Sequence, residues 1–144
     1  MPKLLHAVLC RDAVVDRETN MVSLQGLIEE MRLPGGAFRG DGSPPNFAMG
    51  PLVLFATFSW DWPVSEPRSP LVIKLRLRTP KGATHTLADI QAPQDPAPRF
   101  RTIFKMPGFP FDAEGIYVFE VVAGEVVASE VPMVLLALPE SVTT

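Results

Sequence analysis

Hydrophobic and polar positions alternate with a period of two along much of the chain. In Pro70–Thr79, Leu71, Ile73, Leu75 and Leu77 point one way and Lys74, Arg76 and Arg78 the other. In Arg99–Met106, Phe100, Thr102, Phe104 and Met106 oppose Arg99, Arg101, Ile103 and Lys105. This is the signature of strands with one buried and one solvated face. Met21–Met31 reads the same way, with Val22, Leu24, Gly26 and Ile28 on one face and Met21, Ser23, Gln25 and Leu27 on the other. Gly26 inside that strand predicts a bulge or a close backbone approach. Pro51–Trp60 is apolar on both faces, which predicts a central strand. Lys3–Arg11, Ala83–Ile90, Ile116–Val122 and Val126–Leu136 complete the set, the last two joined by a tight hairpin at Ala123-Gly124-Glu125.

Turn signals separate these runs: Asp16–Asn20, Pro80-Lys81-Gly82, and Pro107-Gly108-Phe109-Pro110, which is expected to end its strand. Pro34–Asn46 is the longest irregular stretch, and a second proline-rich connection holds Pro93, Pro96 and Pro98. The pattern predicts an all-β fold: a single-domain antiparallel β-sandwich of about 7–8 strands, immunoglobulin-like or C2-like, over residues 1–138, with a short polar tail at 139–144.

Composition agrees. Sixteen prolines and ten glycines in 144 residues are hostile to helices. The 47% hydrophobic content supports a core, and a chain of this length buries roughly 70% of its unfolded surface. The net charge of −3 does not mark a polyanion binder. The lone cysteine, Cys10, forms no intramolecular disulfide and points to a cytoplasmic, reducing compartment. The apolar run at Leu4–Cys10 is too short for a secretory leader, and no stretch approaches a membrane helix.

Candidate chemistry is sparse, and the expectation is no enzyme, no cofactor and no metal. His6 and His85 lie within strands without metal-ligand spacing, and Cys10 alternates onto a strand face as a core thiol would. Glu29 and Glu30 face opposite ways on a strand. Asp12, Asp16 and Glu18, like Asp112 and Glu114, read as turn residues, since they lack the dense acidic spacing of a calcium loop.

Two features stand out. Lys74, Arg76, Arg78, Arg99, Arg101 and Lys105 are nearly half of the thirteen basic residues, and they form one positive face if their two strands share a sheet. Trp60 and Trp62, the only tryptophans, stand two positions apart and would stack on a sugar or a partner if both rings were exposed.

Leu9-Cys10-Arg11-Asp12-Ala13, then Ser23-Leu24-Gln25-Gly26, and Gly115-Ile116-Tyr117 near the end, resemble a family of small bacterial β-sandwich proteins of unknown function. The resemblance implies the sandwich fold and carries no activity and no functional residue. The insert Gly35–Asn46 departs from it.

The leading reading is a non-enzymatic protein–protein binding or adaptor module, docking an acidic partner on the basic strand faces. A self-assembling structural subunit, hence a homo-oligomer, is the alternative. So is a carbohydrate- or small-ligand-binding sandwich using Trp60 and Trp62. Nucleic acid is disfavoured, because no aromatic platform accompanies the cations, and no membrane role is expected.

Overall fold

The computed structural model describes residues 2–34, 46–60, 70–93 and 98–138. The predicted 34–46 loop, the Pro93–Pro98 connection and the tail at 139–144 fall wholly or largely outside these residues, as does Trp62. Nine strands and no helix are present among them: β1 Lys3–Val15, β2 Val22–Leu27, β3 Glu30–Pro34, β4 Asn46–Ser59, β5 Val72–Arg78, β6 Thr84–Gln91, β7 Arg99–Phe111, β8 Gly115–Ala123 and β9 Val126–Leu138. No helix is long and apolar enough to cross a membrane.

The strands form two sheets, a four-stranded one ordered β2-β1-β4-β7 and a five-stranded one ordered β3-β9-β8-β5-β6. One core fills the space between them. Leu52, Leu54, Ala56 and Phe58 of β4 and Phe100 and Phe104 of β7 meet Ile73, Leu75 and Leu77 of β5, Tyr117, Phe119 and Val121 of β8, and Met133 and Leu135 of β9. Each large side chain buried there stabilises the fold by about 1.5–3 kcal/mol. The ring pairs add direction: Phe58 stacks on Phe100 at 5.0 Å, and Phe109 meets Phe119 edge-on at 5.9 Å.

The structure corrects the sequence reading in three places. The strand expected over Met21–Met31 is two strands, β2 and β3, which lie in different sheets. The chain crosses between sheets at Ile28 and Glu29, held by Ile28 N–H to the Leu9 carbonyl (2.9 Å) and by Val134 N–H to the Glu29 carbonyl (3.0 Å). The sheets are not wholly antiparallel, because β3 runs parallel to β9. Finally, β7 continues through Pro107 and Pro110 to Phe111 instead of stopping at Met106. It is an edge strand paired only with β4, so a proline's missing N–H can face away from the ladder.

A second, smaller core lies on the outside of the four-stranded sheet. β1 pairs with β4 only as far as Cys10–Val53, whereas its pairing with β2 runs on to Val15–Val22. Beyond Cys10 the β1–β2 hairpin therefore leaves the sheet. Its Ala13, Val22 and Leu24 pack with Cys10, with Val53 and Phe55 of β4, and with Ile103 of β7. This cover explains why β4 is apolar on both faces. Gly26 sits at the departure point with φ +66°, opposite Arg11, whose side chain lies 3.3 Å from where a Cβ would be. The register stays even there, so the glycine marks a close approach and not a bulge.

Candidate functional site

The two basic strand faces are separated by the topology. Lys74, Arg76 and Arg78 are on β5 in the five-stranded sheet, and Arg99, Arg101 and Lys105 are on β7 in the four-stranded sheet. The condition for a single positive face is not met. The two arginine pairs instead look outward from opposite sides of the sandwich, in different surroundings.

On β5 the charges are answered. The ladder aligns Arg76 with Glu120 of β8, and the guanidinium donates from Nε to Glu120 Oε1 at 3.0 Å. Arg78 approaches the other oxygen at 3.5 Å and reaches Glu130 of β9 at 3.8 Å. Glu120, 4% exposed, is thus a nearly buried carboxylate covered by two cations. Lys74 stands opposite Asp89 of β6.

On β7 the charges are not answered by any carboxylate among the described residues. Arg99 and Arg101 line one hollow of about 550 Å³ with Asn20, Thr57 and Phe100. The only polar contact recorded for either guanidinium among those residues is neutral, from Arg101 Nη2 to the Asn20 carbonyl at 2.5 Å. The tip of the β1–β2 hairpin positions that carbonyl. Asp16 Oδ1 accepts the N–H groups of Glu18 (2.8 Å) and Thr19 (3.2 Å), and Asn20 N–H bonds back to the Asp16 carbonyl (2.8 Å). Asn20 closes the turn in the left-handed region, φ 58°. The backbone bonds from Thr19 and Glu18 hold the Asp16 carboxyl below its ordinary range. The hairpin that covers the second core thus also walls the hollow.

The register extends the outer face beyond the lining of the hollow. Lys3 of β1 stands opposite Ser59 of β4, and Ser59 opposite Arg99. His6 stands opposite Thr57, and Thr57 opposite Arg101. Opposed residues in antiparallel strands share a face. Two rows therefore cross the outer face at this end, Lys3–Ser59–Arg99 and His6–Thr57–Arg101, each with a hydroxyl between basic side chains. The His6 ring stacks on Phe55 at 5.8 Å. Lys3, Thr57 and Ser59 are not singled out by the sequence, and His6 is weighed there only as a metal ligand, because only the strand register brings them into rows with the arginines. Lys105 lies past the hairpin, in a separate hollow with Arg11 and Asp12.

The other candidates resolve differently. Trp60 is half-buried, packed against the core and 5.9 Å from the Phe100 ring. Cys10 is fully buried, and burial raises its thiol pKa, which disfavours the thiolate a nucleophile needs. Asp112 accepts the Thr79 hydroxyl (2.5 Å), and Glu114 accepts the Ala137 N–H (2.5 Å). No group of three or more metal-binding side chains occurs among the described residues.

The chain matches no protein-family model and no curated protein.

Proposed function

We propose that the protein is a non-catalytic binding module that docks an acidic protein partner on the outer face of its four-stranded sheet. One observation carries this reading: Arg99 and Arg101 converge on a hollow without a described carboxylate, while Arg76 and Arg78 are neutralised in place. A pair of guanidiniums that no carboxylate among the described residues answers, on a protein of net charge −3, is a local field of the opposite sign, which selects acidic surfaces and speeds their approach. The lone buried cysteine is in keeping with a cytoplasmic setting. An immunoglobulin-like type is supported by Tyr117, whose hydroxyl donates to the Ala113 carbonyl (2.6 Å) and accepts from the N–H groups of Asp112 (3.1 Å) and Ala113 (3.3 Å), the arrangement of a tyrosine corner.

The test is fluorescence anisotropy of a labelled deca-glutamate peptide against the full chain. Binding is expected at low salt, with progressive loss as ionic strength approaches 1 M, where the screening length falls to about 3 Å. Arg99→Glu with Arg101→Glu abolishes it, and Arg76→Glu leaves it in place. Equal loss in both variants would overturn the assignment to this face.

A self-assembling subunit is favoured by a different observation. Ile116 on the outer face of β8 is 59% exposed, and its ladder partner is Val134 of β9. A sedimentation coefficient that falls on dilution and becomes constant in Ile116→Glu would favour that reading.

A further inference from the structure

Resting on the docking reading, we propose that the hollow beside the hairpin tip is a receptor for a phosphoryl group, carried as phosphoserine or phosphothreonine on a protein segment.

The donor set fits phosphate better than carboxylate. Arg99 and Arg101 bring two permanent cations to the hollow itself, and Lys3 and His6 extend the positive rows on β1, one strand beyond Ser59 and Thr57. A single side-chain carboxylate offsets one charge; a phosphomonoester carries about −1.5 to −2 at neutral pH and offers three terminal oxygens. Arginine forks match those oxygens in two-point contacts, and the Thr57 hydroxyl, which lines the hollow, can rotate toward an acceptor, whereas the Ser59 hydroxyl already donates to the Trp60 carbonyl at 3.4 Å. The geometry is also partly set in advance. The Asn20 carbonyl engages one nitrogen of Arg101 and leaves its other N–H donors available, so part of the ordering cost of binding is already met. A volume of about 550 Å³ admits a phosphorylated side chain with room for water.

The experiment follows the backbone amides of Thr57 and Ser59 and the Arg101 Nε–H in the full ¹⁵N-labelled chain. The probes are inorganic phosphate, a phosphoserine hexapeptide, glutarate, deca-glutamate and oligothymidylate, at matched ionic strength. Phosphate and the phosphopeptide are expected to give saturable shifts at all three signals, with affinity about tenfold or more above glutarate. Arg101→Gln and Thr57→Val each weaken it, the former by about tenfold or more, while Arg76→Gln does not. Thr57→Val keeps its shape and charge and guards against a variant that merely misfolds. If deca-glutamate binds through Arg99 and Arg101 but phosphate shows no preference over glutarate, acidic docking stands and the phosphoryl assignment is overturned. If phosphate saturates the site and deca-glutamate does not bind, the acidic-surface reading falls and the receptor stands. Saturation by neither overturns both, and oligothymidylate displacing the phosphopeptide would reassign the site to nucleic acid.

Discussion

The outer ends of β5 and β7 carry nearly the same sequence pattern and have opposite electrostatic fates. Each presents arginines two residues apart on a solvated strand face, over a row of core side chains. On β5, Glu120 and Glu130 close the pair into an ion cluster that belongs to the fold. On β7, the neighbours across the ladder are Thr57 and Ser59, and the only listener to Arg101 among the described residues is a backbone carbonyl. Alternation of charge along a strand thus says which face is wet. Whether the charge is structural or available is decided by the strand next door.

The largest expected effect breaks the β5 half of this contrast. Glu120→Gln leaves Arg76 and Arg78 facing each other without their shared counterion. Removing one partner of a buried pair costs 3–5 kcal/mol, but these guanidiniums are 36% and 45% exposed and partly screened by water. A loss of about 2–3 kcal/mol in urea-unfolding free energy is expected, and the vacated β5 pair should acquire weak affinity for deca-glutamate. A loss below about 0.5 kcal/mol would mean that Glu120 does not hold the cluster.

This contrast also marks how far the sequence could be read. The alternation in β5 and β7, the two-faced apolar run of β4 and the glycine hairpin before β9 were all legible, because each is a local consequence of strand geometry. Sheet membership was not, since a period of two fixes the face of a residue and not its neighbour. The crossing at Ile28 was hidden because Val22, Leu24, Gly26 and Ile28 keep their phase through it. Glu120 carried no signal, as a lone acid between Phe119 and Val121 whose partner Arg76 lies 44 residues away. Lys3 and His6 were invisible as site residues for the same reason: the pairing of β1 with β4 is what places them there.

The next test asks whether the five-stranded sheet owes its order to that outer ion cluster or to its inner tyrosine. Tyr117→Phe removes the hydroxyl that satisfies the Ala113 carbonyl and two N–H groups, and should cost about 2 kcal/mol in the same assay. Burial raises the Tyr117 phenol above its ordinary range, against the backbone bonds that oppose the shift. The contribution of the neutral phenol is therefore complete below the unfolded value of about 10 and is lost as pH rises from there through the folded value. The advantage of the native chain over Tyr117→Phe should shrink only above about pH 10. An advantage that shrinks already near neutrality would point to another group.

On the four-stranded side, the hairpin wall is the weaker element. Gly26→Ala forces a left-handed conformation on a side-chain-bearing residue and presses a methyl against Arg11, at a cost of about 1–2 kcal/mol. Cys10 reports on the result, since it lies fully buried beneath the hairpin. Labelling by a thiol reagent under native conditions should be slow in the native chain and about tenfold faster or more in Gly26→Ala. Equal rates would mean that Gly26→Ala loosens neither the hairpin nor the fold, and that the left-handed glycine does not hold the wall in place.

The smallest expected effect bears most directly on the contrast. Arg101→Gln removes a charge that no described carboxylate answers and relieves its repulsion with Arg99, against the loss of one bond to the Asn20 carbonyl. These terms oppose each other at an exposed site, so stability should stay within about 0.5 kcal/mol of the native chain. Arg76→Gln removes the 3.0 Å bond to a carboxylate that is nearly buried, and should cost about 1–2 kcal/mol. The ordering matters more than either value. An arginine that the fold needs is costly to remove and indifferent to ligand, whereas an arginine kept for a partner is cheap to remove and decisive for binding. Equal destabilisation by the two variants would make Arg101 a structural residue and end its separation from Arg76.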